Sequence, residues 1–181
     1  TTITPNLGVF RVDDESDIII ADIPGIIEGA SEGLGLGDTF LKHITRTSCL
    51  IFMIDCSDEN YLTAYDTLCN ELEQYSDELM EKPRIVLCNK IDVDGAFERA
   101  LEIQQKIKET EPETKVIPVS VMGGRGMKDA QKEIVSLVNE LEKRLEEDSF
   151  NSSSEKENSF MAGRAYIDDD EDDYVQYPGS E

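Results

Sequence analysis

The chain has 181 residues, room for one folded domain and a tail. At 39% hydrophobic it can build a core, which excludes global disorder, and its formal net charge of −23 argues against gripping a nucleic-acid backbone unaided. Four cysteines without CxxC spacing read as reduced thiols of a cytosolic protein, not as a disulfide framework or zinc site, and neither a membrane span nor a signal peptide is visible.

In chain order, Leu7–Val12 and Asp17–Ile23 read as strands around the polar turn Asp13-Asp14-Glu15-Ser16. Gly25–Gly37 is glycine-rich and reads as a loop. Asp38–Arg46 reads as a helix, and Cys49–Cys56 as a strand buried on both faces. Tyr61–Glu81 carries Leu62, Tyr65, Leu68, Leu72, Tyr75 and Leu79 at helical spacing, and Pro83 ends it. Strands at Arg84–Cys88 and Lys115–Val119 alternate with helices at Ala96–Glu109 and Met127–Leu145. That alternation predicts an α/β fold with a doubly wound sheet, whose ligands sit in the loops after the strands' carboxyl ends. From about Glu146 apolar residues become sparse. Residues 1–146 are therefore expected to form the domain, and 147–181, with the acidic run Asp168–Asp173, a disordered acidic tail.

The loops after the strands hold the candidate chemistry. Asn89-Lys90-Ile91-Asp92 directly follows a buried strand. Guanine presents a ring N–H and an amino group side by side, and the Asp92 carboxylate can accept from both. Adenine lacks that donor pair and would leave Asp92 desolvated and unpaired. Asn89 can bond the other edge of the base and tie neighbouring loops, and the stem of Lys90 can cover the base plane. A surface turn with a helix cap is the plain alternative. Asp22-Ile23-Pro24-Gly25 follows the second strand. Asp22 can hold magnesium through water, and Gly25 can offer its N–H to a terminal phosphate. Ser120-Val121-Met122 stands where a third loop could donate backbone N–H groups to the guanine keto oxygen. Thr2, just before the first strand, can ligate magnesium, unless it is only a polar loop residue.

Thr1-Thr2-Ile3-Thr4-Pro5-Asn6-Leu7-Gly8, Ala21–Ala30, Gly33-Leu34-Gly35-Leu36-Gly37 and Phe40-Leu41-Lys42-His43-Ile44, followed by Asn89–Asp92 and Ser120, resemble the Obg GTPases over about Thr1 to Glu146. The resemblance implies a P-loop NTPase-type, Ras-like GTPase domain with a mostly parallel sheet. It implies a cytoplasmic, magnesium-dependent GTPase that binds GTP and GDP. That enzyme would act in large ribosomal subunit assembly and in growth or stress control. No direct DNA binding is expected of this chain, and a monomer is expected. Thr2 and Asp22 would hold magnesium, with Asp22 and Gly25 in the second switch. Asn89, Lys90 and Asp92 would select the base, helped by Ser120, Val121 and Met122. Val121 replaces the family's usual alanine but keeps the backbone donor. Ile26 follows Gly25 where many GTPases carry a water-orienting glutamine, which implies slow turnover, with Glu28 a candidate for orienting water.

The family's G-x-x-x-x-G-K-S/T segment is not found upstream of Thr2, and the chain begins at Thr1 inside the first motif. The expectation is therefore a domain missing its first strand, its phosphate loop and the family's glycine-rich N-terminal domain. The isolated chain is expected to be inactive, and the ribosomal contact to run mainly through parts absent here. A non-hydrolysing pseudo-GTPase binding module is the alternative, and an ATP-using α/β protein is disfavoured by Asp92.

Overall fold

The computed structural model describes residues 6–12, 17–22 and 46–164. Thr2, Gly25, Glu28, the glycine-rich stretch and, apart from Arg46, the helix expected over Asp38–Arg46 lie outside the described residues.

Strands β1 (Asn6–Arg11) and β2 (Asp17–Asp22) pair antiparallel, with Asn6 opposite Asp22 and Arg11 opposite Asp17. The three strands β3 (Leu50–Asp55), β4 (Arg84–Asn89) and β5 (Lys115–Pro118) form a parallel sheet in that order. Its register sets Asp55 opposite Asn89 and Cys88 opposite Pro118, so the three carboxyl ends finish along one edge. Helix α1 (Tyr61–Tyr75) and the short α2 (Asp77–Glu81) link β3 to β4, α3 (Ala96–Thr110) links β4 to β5, and α4 (Met127–Arg164) follows β5.

The period of two along each strand sorts the apolar residues onto two faces. Phe52, Ile54, Val86 and Cys88 pack against Leu68 and Leu72 of α1 and Ala100 and Ile103 of α3. Ile85 and Leu87 point the other way, onto Ala130 and Ile134 of α4, where Ile18 of β2 also packs. Helices thus cover both faces, as a doubly wound sheet requires.

Three expectations change. The long helix over Tyr61–Glu81 breaks at Ser76, whose backbone is extended (φ −170°, ψ 127°). Ser76 makes no side-chain cap bond, but the acidic Asp77 and Glu78 suit the first turn of a fresh helix, and the break carries Leu79 into the core, where it is fully buried. Secondly, β3 is fully buried on one face and only partly on the other, where Ile51 packs against the second cluster. Leu50, Phe52 and Ile54 are buried, whereas Met53 is 49% exposed, because among the described residues β3 has one strand neighbour and β4 has two. Thirdly, α4 does not end at Leu145 but runs to Arg164. No proline or glycine interrupts residues 146–162, so backbone propensity continues the helix where burial no longer holds it. The tail expected to be disordered over 147–181 is therefore helical up to Arg164, and 165–181 lie outside the described residues. The chain divides into two compact units at Asn139 and Glu140. No helix among the described residues is long and apolar enough to cross a membrane.

Candidate functional site

Where β4 ends, the chain turns sharply. Lys90 adopts a left-handed backbone (φ 67°), the one such non-glycine residue among those described. The Val93 N–H donates to Lys90 O at 2.9 Å, closing the turn. Ile91 is buried, and its N–H reaches Val119 O at 3.2 Å, which extends the β4–β5 pairing past the strands. With Ile91 plugged into the core, its neighbours Lys90 and Asp92 are left exposed to solvent.

The loop after β5 is closed by Ser120, whose N–H donates to Arg125 O at 2.9 Å. Gly126 makes this closure possible. It has φ +71°, and a Cβ there would stand 2.2 Å from Pro118 O, so only glycine fits. Ser120 is fully buried. Its hydroxyl accepts from the Gly123 N–H at 2.9 Å and donates to Asp92 Oδ1. The Asn89 side chain ties the same two loops, its Oδ1 accepting the Val121 N–H at 3.1 Å. That bond occupies the Val121 donor expected for a base. The N–H of Met122, on a residue 94% exposed, has no acceptor among the described residues.

A third corner comes from the end of β3. Asp55 Oδ2 lies 2.6 Å from Lys90 Nζ, while Asp55 Oδ1 accepts from the Ser57 N–H at 2.8 Å and the Ser57 hydroxyl at 2.6 Å. Arg99 of α3 steadies this loop, donating to the carbonyls of Cys56 and Ser57 at 3.3 Å each. The charges answer to these contacts. The Ser120 hydrogen bond, with the Asp92 N–H, holds the Asp92 carboxyl below the usual carboxylate range, assisted by Arg125 and Lys90. Burial pushes the Asp55 carboxyl up, but the bonds from Lys90 and Ser57 outweigh it, and the net direction is down. The hydrogen bond to Asp55 raises Lys90.

Of the residues singled out in the sequence, Asn89, Lys90, Asp92, Ser120, Val121 and Met122 come together at one edge of the sheet. Asp22 sits exposed at the carboxyl end of β2. It is the one described member of the expected magnesium set, and no group of three or more His, Cys, Asp or Glu that could hold a metal occurs among the described residues. A single exposed carboxylate suits a magnesium ion that keeps several waters and takes further oxygens from phosphates. Sequence reasoning missed Asp55, Ser57 and Arg99. The signal for Asp55 was available: it ends a buried apolar run, the same placement that singled out Asp22.

Comparison with known proteins agrees with this geometry. Residues 1–90 match the family described as 50S ribosome-binding GTPase. The chain is 50% identical over 143 residues to the GTPase Obg of Treponema denticola, covering 79% of this chain and 36% of that protein. It is 44% identical over 138 residues to the GTPase Obg of Borrelia duttonii, covering 76% of this chain and 41% of that protein. The chain thus spans well under half the length of these relatives. Among solved structures it is similar to a variant of Aquifex aeolicus Era bound to GDP·AlF4−, at 26% identity and a TM-score of 0.56, over 74% of this chain and 44% of that one. Era in complex with MgGDPNP and a segment of 16S ribosomal RNA matches at the same identity and TM-score, over 76% of this chain and 45% of that one.

Proposed function

We propose, from the premise that this chain belongs to the Obg family of GTPases, that it supplies the guanine-recognising part of a protein that binds GTP and hydrolyses it to GDP and phosphate. The observation that carries this reading is the tie between two loops: Ser120 holds Asp92, and Asn89 holds Val121. Asp92 has one oxygen on Ser120 and remains exposed, ready to accept the paired donors of guanine. With the Val121 N–H taken by Asn89, the Met122 N–H is the donor left for the keto oxygen. The stem of Lys90 covers the base.

Phosphate chemistry falls to the residues of the other motifs, Thr2, Asp22, Gly25 and Glu28. Asp22 and Thr2 would hold magnesium, which when bound neutralises charge on the phosphates. Gly25 would donate its N–H to the terminal phosphate, and Glu28 is the candidate for orienting water beside Ile26. Turnover is slow because the Ile26 side chain cannot hydrogen-bond water. The protein acts on the large ribosomal subunit, in the cytoplasm, in subunit assembly and growth or stress control. The family model's description supports the ribosomal part of this reading. A net charge of −23 supports a contact made mainly by other parts of the protein.

The test is competition for labelled GDP on the full-length protein. Unlabelled GDP and GTP should displace the label at least about 100-fold better than ATP, as expected when the wrong base leaves a buried polar group unpaired. Equal displacement by ATP would overturn the guanine reading.

A further inference from the structure

Lys90 is held at both ends. Its backbone is locked in the left-handed region (φ 67°), and its ammonium lies 2.6 Å from Asp55 Oδ2. Between these points the aliphatic stem bridges the ends of β3 and β4, which are adjacent because Asp55 pairs opposite Asn89. Asp55 itself is well anchored. Its other oxygen, Oδ1, takes both the N–H and the hydroxyl of Ser57, and Arg99 grips the next two carbonyls. Closing the local turn needs only one acceptor oxygen, which an asparagine could equally supply. The second oxygen and the negative charge of Asp55 are therefore free to serve Lys90.

A competing arrangement explains why that service matters. Asp92 stands two residues from Lys90, close enough for each charge to favour the ionised form of the other. An unanchored ammonium would be drawn toward Asp92, the carboxylate that must meet the base. We infer that Asp55 is a positioning residue for guanine-nucleotide binding: it holds the Lys90 ammonium away from Asp92 and lays the lysine stem as a preformed shelf for the base. The inference rests on the guanine reading of the site. Anchoring a long side chain before the nucleotide arrives removes rotamer freedom that binding would otherwise have to suppress.

The test is a double-mutant cycle on the full-length protein, read by the dissociation rate and affinity of a fluorescent GDP. Asp55→Asn keeps an acceptor for Ser57 and loses the charge that holds Lys90. It should weaken GDP binding about three- to tenfold, the scale of an exposed pair plus lost preorganisation, mostly through faster dissociation. Lys90→Met keeps an apolar stem and removes the ammonium. In that background Asp55→Asn should change nothing further. A shift in stability common to both backgrounds cancels in the cycle, so the coupling is still read if the variants melt earlier. Unchanged affinity for Asp55→Asn, or an equal loss with and without the Lys90 ammonium, would overturn the positioning role while leaving the guanine site standing. Failure of the wild-type protein to bind GDP would sink both.

Discussion

The β3–β4–β5 sheet and the β1–β2 hairpin are made from similarly apolar segments, and they meet opposite fates. In the sheet Ile54 is 1% exposed and Cys88 fully buried, whereas in the hairpin Val9 is 67% and Ile19 70% exposed. The difference lies in what surrounds each strand. β4 has a strand on either side and helices on both faces. The hairpin pairs only with itself among the described residues and sends Ile18 alone from its strands into the second core cluster. The residues proposed to recognise the base hang from the first region and are tied to its buried strands. Asp22 hangs from the second, where among the described residues only its strand pairing places it.

Truncating matched isoleucines is the most direct way to break that contrast. Ile54→Ala should cost about 3 kcal/mol of stability, through lost transfer energy and the cavity left behind, and Ile19→Ala less than about 1 kcal/mol. Equal losses in chemical denaturation of the two variants would show that the hairpin face is covered in solution. Next in size is Asp92→Asn. The amide presents a donor where guanine also donates, so GDP affinity should fall about 100-fold, or ~2.7 kcal/mol. Xanthine carries a carbonyl in place of the amino group, so the variant should bind xanthosine diphosphate better than GDP. Retained GDP affinity in an equilibrium titration would remove Asp92 from the site.

The smallest effect sharpens the comparison from within the buried sheet and its loops. The Asp92 carboxyl is depressed in the folded chain, so what its charge contributes is present above the ordinary carboxylate range and lost as pH falls through the lowered value. Ser120→Ala removes the largest cause of that depression. The Asp92 titration, followed by carboxyl carbon NMR, should move to higher pH while the residue stays ionised at neutrality. An unmoved titration would mean that Ser120 does not hold Asp92 in solution.

Much of this was legible from local pattern. Continuous apolar runs marked the strands at Cys49–Cys56 and Arg84–Cys88, and the helix from Ala96 was also legible. The Asn89–Asp92 signature stood out because it directly follows a buried strand. Local pattern failed where the deciding partner was distant or missing. Helical spacing ran unbroken through Ser76, since periodicity does not register a change of helix axis. It stopped at Leu145, since a helix held by backbone propensity leaves no apolar stripe to read.

By itself, the sequence determined the α/β order of elements, the guanine-type signature and the family resemblance, because each is written in residues close together in the chain. Only the tertiary structure decided that the Val121 donor is spent on Asn89 and that Lys90 is anchored to Asp55, 35 residues away. Those pairings depend on strand register. Parallel strands joined through helices bring carboxyl ends together at a sequence distance that no local pattern encodes.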